Sequence, residues 1–318
     1  MKEAKVPLIL LFVFTLISCE KNTTPGVSTL SFTIVNLDSV DLTGEIKDDS
    51  GSAITSMGFY WGTSPGPTEK DNCSAIPGGT GFFTIRVGRL SLNKQYYFRS
   101  FATNVNGSQT GKVLPIKIEL APIRGTMLDS RNGKTYATIK IRQQTWMAEN
   151  LNFLPSVISP WMGSETLAYY YVYDYDDNLA YEAKMTPNYK TYGVLYNWTA
   201  ALTACPQGWH LPTDAEWKIL TDYLASSGGA LLKEAGTTHW ANPNQGANNA
   251  TGLTVLPGGY LRADDNFYGL STDAYFWSAT EFDQSSVYDR YLYNNSDGVF
   301  KFHTSKSSGL SIRCLLDH

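Results

Sequence analysis

The side chains able to do chemistry are few and scattered. The four histidines, His210, His239, His303 and His318, show no HxxxH spacing, and no two cysteines have CxxC spacing. Zinc needs a compact set of nitrogen and sulfur ligands, and these spacings do not supply one. Asp174-Tyr175-Asp176-Asp177-Asn178 opens as a calcium loop does, but it lacks the later glycine and the closing bidentate glutamate. It reads as an acidic, exposed loop. Asp264-Asp265 and Asp283 leave two readings, a structural calcium ion or solvated turns, and the second is preferred. Cysteine chemistry remains: Cys19, Cys73, Cys205 and Cys314 each need a separate account.

Cys19 closes the long apolar run of the N-terminus. Lys2 and Lys5 precede Val6 to Ile17. That stretch is too short for a bilayer span of about 20 residues but suits a signal-peptide core. It ends in Leu16-Ile17-Ser18-Cys19, which resembles a lipobox. The resemblance makes residues 1–19 a lipoprotein signal peptide and Cys19 the lipidated N-terminus, with acyl chains replacing the removed helix as anchor. Residues 20–26 are polar, with Pro25 and Gly26, as a tether would be. Glu20 rather than Asp follows the cysteine, so inner-membrane retention is not suggested. The charged stub Glu20-Lys21 is similar to those of outer-membrane lipoproteins on the cell surface, and a periplasmic orientation stays open.

These groups need elements to position them. The chain has 318 residues, enough for about two domains. Its formal net charge of −4 comes with no basic run, which argues against a nucleic-acid partner. Twenty Tyr and 8 Trp suit β-rich folds and sugar- or protein-binding surfaces. Residues 27–119 read as short strands: Leu30-Phe32-Ile34, Val40-Leu42, Met57 to Gly62, Phe83-Ile85-Val87 and Tyr97-Arg99-Phe101. Asp48 to Gly51, Ser64 to Pro67 and Asn106-Gly107 punctuate them as turns, which predicts an all-β sandwich. Leu90, Tyr96 to Arg99, Ala102, Asn104 and Gly107 resemble the sixth strand and tyrosine corner of fibronectin type III and immunoglobulin-like modules. Such a module acts as a spacer. Cys73 is placed in a loop of this domain, either as a buried unpaired thiol or as a partner for another chain.

Residues 122–318 carry denser signals. Tyr136 to Ile141 and Thr145-Trp146-Met147 form a strand pair. Tyr196, Ala200 and Thr203-Ala204 keep helical spacing, so a first helix is predicted over 194–204, stopped by Pro206. Thr213 to Glu216 is a capping box, and Trp217, Leu220, Tyr223 and Leu224 share one face of a second helix. Gly228-Gly229 is expected to end it. A loop-rich stretch follows, then strands at Tyr275-Trp277, Tyr288-Tyr293, Val299-His303 and Leu310-Leu315.

Five segments taken together resemble the Fibrobacter succinogenes major paralogous domain, common in bacterial surface lipoproteins. They are Trp146 to Leu151, Tyr192 to Ala201, Cys205 to Trp217, Phe276 to Glu281, and Ser311 to Cys314. The family is related to C-type-lectin-like and sulfatase-modifying-factor domains. The resemblance implies an α+β C-type-lectin-like domain behind the sandwich, and a disulfide between Cys205 and Cys314. Sulfatase-modifying enzymes hold copper on two close cysteines near the C-terminus; here only Cys314 lies there, so no enzyme and no cofactor are expected. The lectin calcium site needs Glu-Pro-Asn or Gln-Pro-Asp and Trp-Asn-Asp, whereas this chain has Asn242-Pro243-Asn244 and Trp277-Ser278-Ala279. The loops before the last strands, Gly258 to Ser308, become the default binding surface. Its candidates are Asp283, Tyr288, Arg290, Asn294 and Asn295, all expected to be exposed, with Tyr268 and Asp265. The leading expectation is a non-enzymatic envelope lipoprotein that binds an extracellular glycan or protein. The alternatives are a structural or assembly subunit of an envelope complex and a diverged sulfatase-modifying-type oxidase.

Overall fold

The computed structural model describes residues 23–317. The lipobox and Cys19 lie outside them, as does His318. The described residues fall into two compact units: 23–33, 41–87 and 95–116 form one, and 34–40, 88–94 and 117–317 the other.

The first unit is built on seven strands: β1 (Gly26–Asn36), β2 (Ser39–Asp48), β3 (Ser56–Gly62), β4 (Asn72–Pro77), β5 (Gly81–Val87), β6 (Gln95–Asn104) and β7 (Gly107–Lys117). They make a three-stranded sheet, β1-β2-β5, and a four-stranded sheet, β4-β3-β6-β7. Period-2 patterning explains the sandwich. In β5, Phe83, Ile85 and Val87 are buried and the residues between them are exposed. Phe59 and Phe83 meet across the two sheets at 5.5 Å, with Phe98 also fully buried. Cys73 corrects its expectation twice. It lies in strand β4, opposite Tyr60, and it is exposed. β4 was missed because its sequence is short and polar, and pairing with β3 is what makes it extended.

The second unit opens with β8 (Ile123–Asp129), β9 (Lys134–Ile141), β10 (Gln144–Met147) and β11 (Tyr170–Tyr171). Helices α1 (Ala180–Met185) and α2 (Pro187–Tyr192), which sequence periodicity did not reveal, precede β12 (Leu195–Tyr196). Then come α3 (Trp198–Ala204), β13 (Trp209–His210), α4 (Asp214–Leu224) and α5 (Gly228–Leu232). The chain closes with β14 (Gly258–Leu261), β15 (Phe267–Leu270), β16 (Asp273–Glu281), β17 (Ser286–Tyr293), β18 (Phe300–Ser305) and β19 (Leu315–Leu316). One five-stranded sheet runs β13-β19-β10-β9-β8, a second runs β15-β14-β16-β17-β18, and β11-β12 form a two-stranded ribbon. Strands dominate, and the helices are short.

Local chemistry sets the boundaries. The helix expected from residue 194 starts at Trp198, because Leu195 and Tyr196 pair with Tyr171 and Tyr170 and the Asn197 side chain accepts the Ala200 amide. Helix α4 has the capping box: the Thr213 hydroxyl accepts the Glu216 amide at 3.2 Å, and the Glu216 carboxylate accepts the Thr213 amide at 2.8 Å. Its end is not the Gly228-Gly229 pair. Ala225, at φ +63°, closes it, and the glycines open α5. Gly229 is needed there because a Cβ would collide with the Gly298 carbonyl.

The predicted strand 310–315 is mostly not a strand. Its backbone bonds a different partner at each step: Leu310 to Tyr196, Ser311 to Tyr275 and Trp277, Ile312 to Leu151, and Cys314 to Met147. The segment thereby crosses between the two large sheets, and Cys314 lies just before β19. Cys205, the C-cap of α3, is bonded to Cys314 as a disulfide, with Cα atoms 5.9 Å apart. Around it the core gathers Trp277, Tyr196, Trp198, Leu310 and Ile312.

The bridge closes a loop of 109 residues. In the chain-entropy picture, removing it costs about 3–5 kcal/mol. Cys205→Ser/Cys314→Ser is therefore expected to melt well below the native protein in a calorimetric scan. Reductant should lower the melting point of the native chain and leave that of the double variant unchanged.

Candidate functional site

The β15-β14-β16-β17-β18 sheet places one aromatic residue from each strand in a single row. Tyr268 stands opposite Tyr260, Tyr275 opposite Tyr291, and Tyr291 opposite Phe300. The parallel pairing of Gly259 with Ala274 brings Tyr260 beside Tyr275. Ring centroids are 5.9 Å apart for Tyr268–Tyr260, 4.3 Å for Tyr260–Tyr275, 5.1 Å for Tyr275–Tyr291 and 5.3 Å for Tyr291–Phe300. Five strands at the usual spacing make a stripe about 19 Å long. Tyr293 joins it one step along β17, 5.0 Å from Tyr291, and its hydroxyl lies 3.2 Å from that of Tyr275. The ends of the stripe, Tyr268 and Phe300, are 38% and 37% exposed, and the middle rings are half-buried. Gly259 makes the row possible. It sits at φ +63°, and a Cβ there would strike the Tyr268 carbonyl.

Polar groups border the stripe. The Tyr268 hydroxyl donates to Asp264 at 3.1 Å. Asp273, opposite Tyr293, is held above the usual carboxylate range by burial, against a hydrogen bond from Thr272. Burial likewise raises the phenols of Tyr260, Tyr275 and Tyr291, so all three are hydroxyl donors at neutral pH.

The same face continues from Tyr291 to Asp289, between Trp277 of β16 and Phe302 of β18. Asp289 is 1% exposed, and neither of its carboxylate oxygens has a well-formed hydrogen bond. Burial pushes its pKa up to about 7, eased by the Phe302 amide and the Arg290 charge. Asp289 therefore departs from the surface placement given to the 258–308 run.

The opposite face packs on α4. Arg290, expected to be exposed, is 4% exposed. It faces inward because its Nη2 donates to Asp214 at the start of α4 at 2.6 Å, and Lys301 donates to the same carboxylate at 2.8 Å. Burial alone would raise the Asp214 pKa, but the bonds from Lys301 and Arg290 outweigh it and lower it. Tyr288 is on this face too, under Lys301 at 3.6 Å and beside Phe282 at 5.4 Å. Asp283 is exposed; the Ser286 side chain first, and then the Ser285 and Ser286 amides that its Oδ1 accepts, hold its carboxyl down to about 2. It shapes the β16–β17 turn. Asn294 is half-buried and donates to the carbonyls of Ala241 and Asn242, while Asn295 is exposed in the following turn. Asp265 is exposed at φ +67° in the β14–β15 turn. Of the seven candidates, only Tyr268 belongs to the stripe. Tyr260, Tyr275, Tyr291 and Phe300 fall within the 258–308 surface but are not among those candidates, because single aromatics on separate strands form a row only once the register is known.

His210 is fixed between two acids, with Nδ1 2.7 Å from Asp317 and Nε2 3.0 Å from Glu216, so it ties β13 to the cap of α4. Burial opposes its protonation, and the bonds to Asp317 and Glu216 win, raising its pKa. Among the described residues, no three His, Cys, Asp or Glu side chains gather around a common point.

The sequence model of one family, the Fibrobacter succinogenes major domain, matches residues 139–315. No curated protein matches the chain. Among solved structures, the twitchin kinase region from C. elegans (Fn31-NL-kin-CRD-Ig26) aligns at 15% identity with a TM-score of 0.23. The alignment covers 62% of this chain and 34% of that one, so this chain spans about a third of that structure's length.

Asp289 gives a pH signature. Its folded pKa lies above the unfolded value of 3.8, so the folded state holds the proton more tightly, and stability falls as pH rises from about 4 to about 7. The loss is of order 2–4 kcal/mol. Asp289→Asn is expected to flatten that part of the profile and to be more stable than the native chain at pH 8 in urea titrations. An unchanged slope would show that Asp289 is charged in the fold throughout.

Proposed function

The chain belongs to the Fibrobacter succinogenes major domain family, and from that premise we propose that it is a non-enzymatic cell-envelope lipoprotein that recognises a glycan through the aromatic stripe of its second unit. The observation that carries this reading is the row Tyr268, Tyr260, Tyr275, Tyr291 and Phe300, one ring per strand. Aromatic rings present flat apolar faces with polar edges. Sugar rings have apolar C–H faces that stack on them and hydroxyls that meet polar edges. The phenols of Tyr275 and Tyr293 and the carboxyl of Asp273 supply such edges along the row. An extended, uncharged saccharide chain running across the strands fits this pattern better than a compact protein knob, because the stripe is long and narrow.

In this reading residues 122–318 form a C-type-lectin-like domain. The Cys205–Cys314 bridge between the end of α3 and the approach to β19 supports that assignment, as does the run of closing strands. The sandwich is a fibronectin type III or immunoglobulin-like spacer, supported by its three- and four-stranded sheets. Cys19 anchors the chain in the outer membrane, on the cell surface, supported by Leu16-Ile17-Ser18-Cys19 after the apolar run. The absence of catalysis is supported by Cys314, which is spent in a disulfide and has no neighbouring cysteine for copper.

A glycan array probed with the full chain tests the reading. Neutral oligosaccharides are expected to bind, and Tyr291→Ala or Tyr268→Ala should weaken them about tenfold or more. Tyr288→Ala, on the opposite face, should leave affinity unchanged. Stripe variants that bind as well as the native chain, with unchanged melting, would remove the stripe as the site.

A further inference from the structure

Two depressions of the second unit gather basic side chains, although the chain as a whole is acidic. One depression of about 450 Å³ is lined by Arg131, Asn132, Lys134, Asn152, Lys184 and Tyr189, among others. A smaller one of about 130 Å³ shares Lys134, Asn152 and Tyr189 with it and adds Glu149, Lys190, Thr191 and Arg313. Sharing these walls, the two depressions lie side by side as a two-part groove. It lies between the β8–β9 turn, the stretch after β10, and helices α1 and α2.

The charge accounting separates occupied cations from free ones. Arg131 is committed: it binds Asp129 through Nε and Nη2, donates to the Ala204 carbonyl, and covers the Phe153 ring. Arg313 is committed to Asn150, Met147, Leu253 and Thr254. Lys134 pairs with Glu149 at 3.0 Å, and Glu149 also accepts the Ala137 amide. Lys184 and Lys190 are exposed and have no acid within ion-pair distance among the described residues. The other acid nearby on α1, Glu182, is two residues from Lys184 and so does not face it. Glu149 is thus the one acid against several cations in the groove lining.

We infer that this groove binds an anionic saccharide, one whose sugar units carry carboxylate or sulfate groups. The free cations are ammonium groups, which act as point charges and suit single carboxylates or sulfates. The guanidinium forks that clamp phosphate in two places are already used. Asn132 and Asn152 offer side-chain amides and Thr191 a hydroxyl, matching sugar hydroxyls beside the charge. With Lys184 and Lys190 as the free cations and no basic run in the sequence, the groove offers too few contacts for the many-phosphate binding of nucleic acid or an anionic bilayer. This site is separate from the aromatic stripe and does not depend on it.

The test is titration calorimetry on the full chain with three probes: an oligogalacturonate, a sulfated oligosaccharide and a neutral cello-oligosaccharide. At least one anionic probe is expected to bind, and which one binds identifies carboxylate or sulfate as the recognised group. Raising salt from about 0.05 to about 0.5 M should weaken that binding. Lys184→Glu/Lys190→Glu changes only exposed side chains and should weaken it about tenfold or more. Tyr268→Ala should not alter it, so failure here and failure of the stripe are read separately. The inference is overturned if neither anionic probe binds, if the double variant binds as tightly as the native chain, or if Tyr268→Ala abolishes the binding. It is also overturned if single-stranded DNA or polyglutamate binds as well as the saccharides.

Discussion

The second unit depends on a buried guanidinium. Arg313 is 1% exposed and has no acid within ion-pair distance among the described residues. Instead it donates to Asn150 Oδ1 at 2.7 Å and to the carbonyls of Met147, Leu253 and Thr254 at 3.3, 2.8 and 3.0 Å. Taking such a cation out of water costs several kcal/mol, and charge-assisted bonds must offset it. Burial pulls its pKa down to about 9, with Glu149 acting against the fall. The result joins three segments far apart in sequence: the end of β10, the long loop before β14, and the C-terminal crossing. The neighbouring disulfide closes the same region covalently. With these two ties in place, an irregular stretch can keep one shape, because its carbonyls already have partners.

Lys233 repeats the device on a smaller scale. It is fully buried, and its Nζ donates to Gln245, Tyr293 and Ser296 carbonyls at 3.3, 3.0 and 2.8 Å, with Trp240 beneath it at 5.3 Å. Burial draws its pKa down to about 8. Because Tyr293 is one of the three, the loop after α5 is tied to the strand that carries part of the aromatic row. On the far side of the sheet, the Asp214–Arg290–Lys301 cluster fixes β17 and β18 against α4. Both faces of β17 are thereby held, one by charge and one by rings. That rigidity keeps the stripe in register without a ligand and lowers the ordering cost that binding would otherwise carry.

The two faces also explain why composition misled the choice of surface residues. Arg290 and Asp289 are charged residues in the loop-and-strand region, and charge usually means exposure. Here one is paired across to a helix start, and the other is enclosed between Trp277 and Phe302. Asp283 is polar because it caps its own turn, and Asn294 because it tethers the Ala241-Asn242 loop. Polar residue type alone cannot separate these roles, since each is defined by a partner dozens of residues away or by a backbone bend.

Local physics made some features legible without coordinates. The capping box at Thr213 and Glu216 closes over a few residues, so its helix start can be read directly. Period-2 alternation in Phe83-Ile85-Val87 announces a one-sided strand. The pairing of Cys205 with Cys314 was reachable through family resemblance, which encodes distant contacts that spacing cannot. Other features rest on non-local partners. The helix start moved from 194 to Trp198 because Leu195 and Tyr196 found strand partners in β11. β4 exists through β3, and the C-terminal crossing takes its path from five separate backbone partners. The aromatic row is the clearest case: Tyr268, Tyr260, Tyr275, Tyr291 and Phe300 are individually unremarkable in sequence, and only strand order and register bring their rings side by side. Sequence determined which residues like to be extended, capped or buried, because those preferences are short-range. Tertiary structure decided which of them meet, because pairing across a sheet is set by the whole chain's packing and not by any window of it.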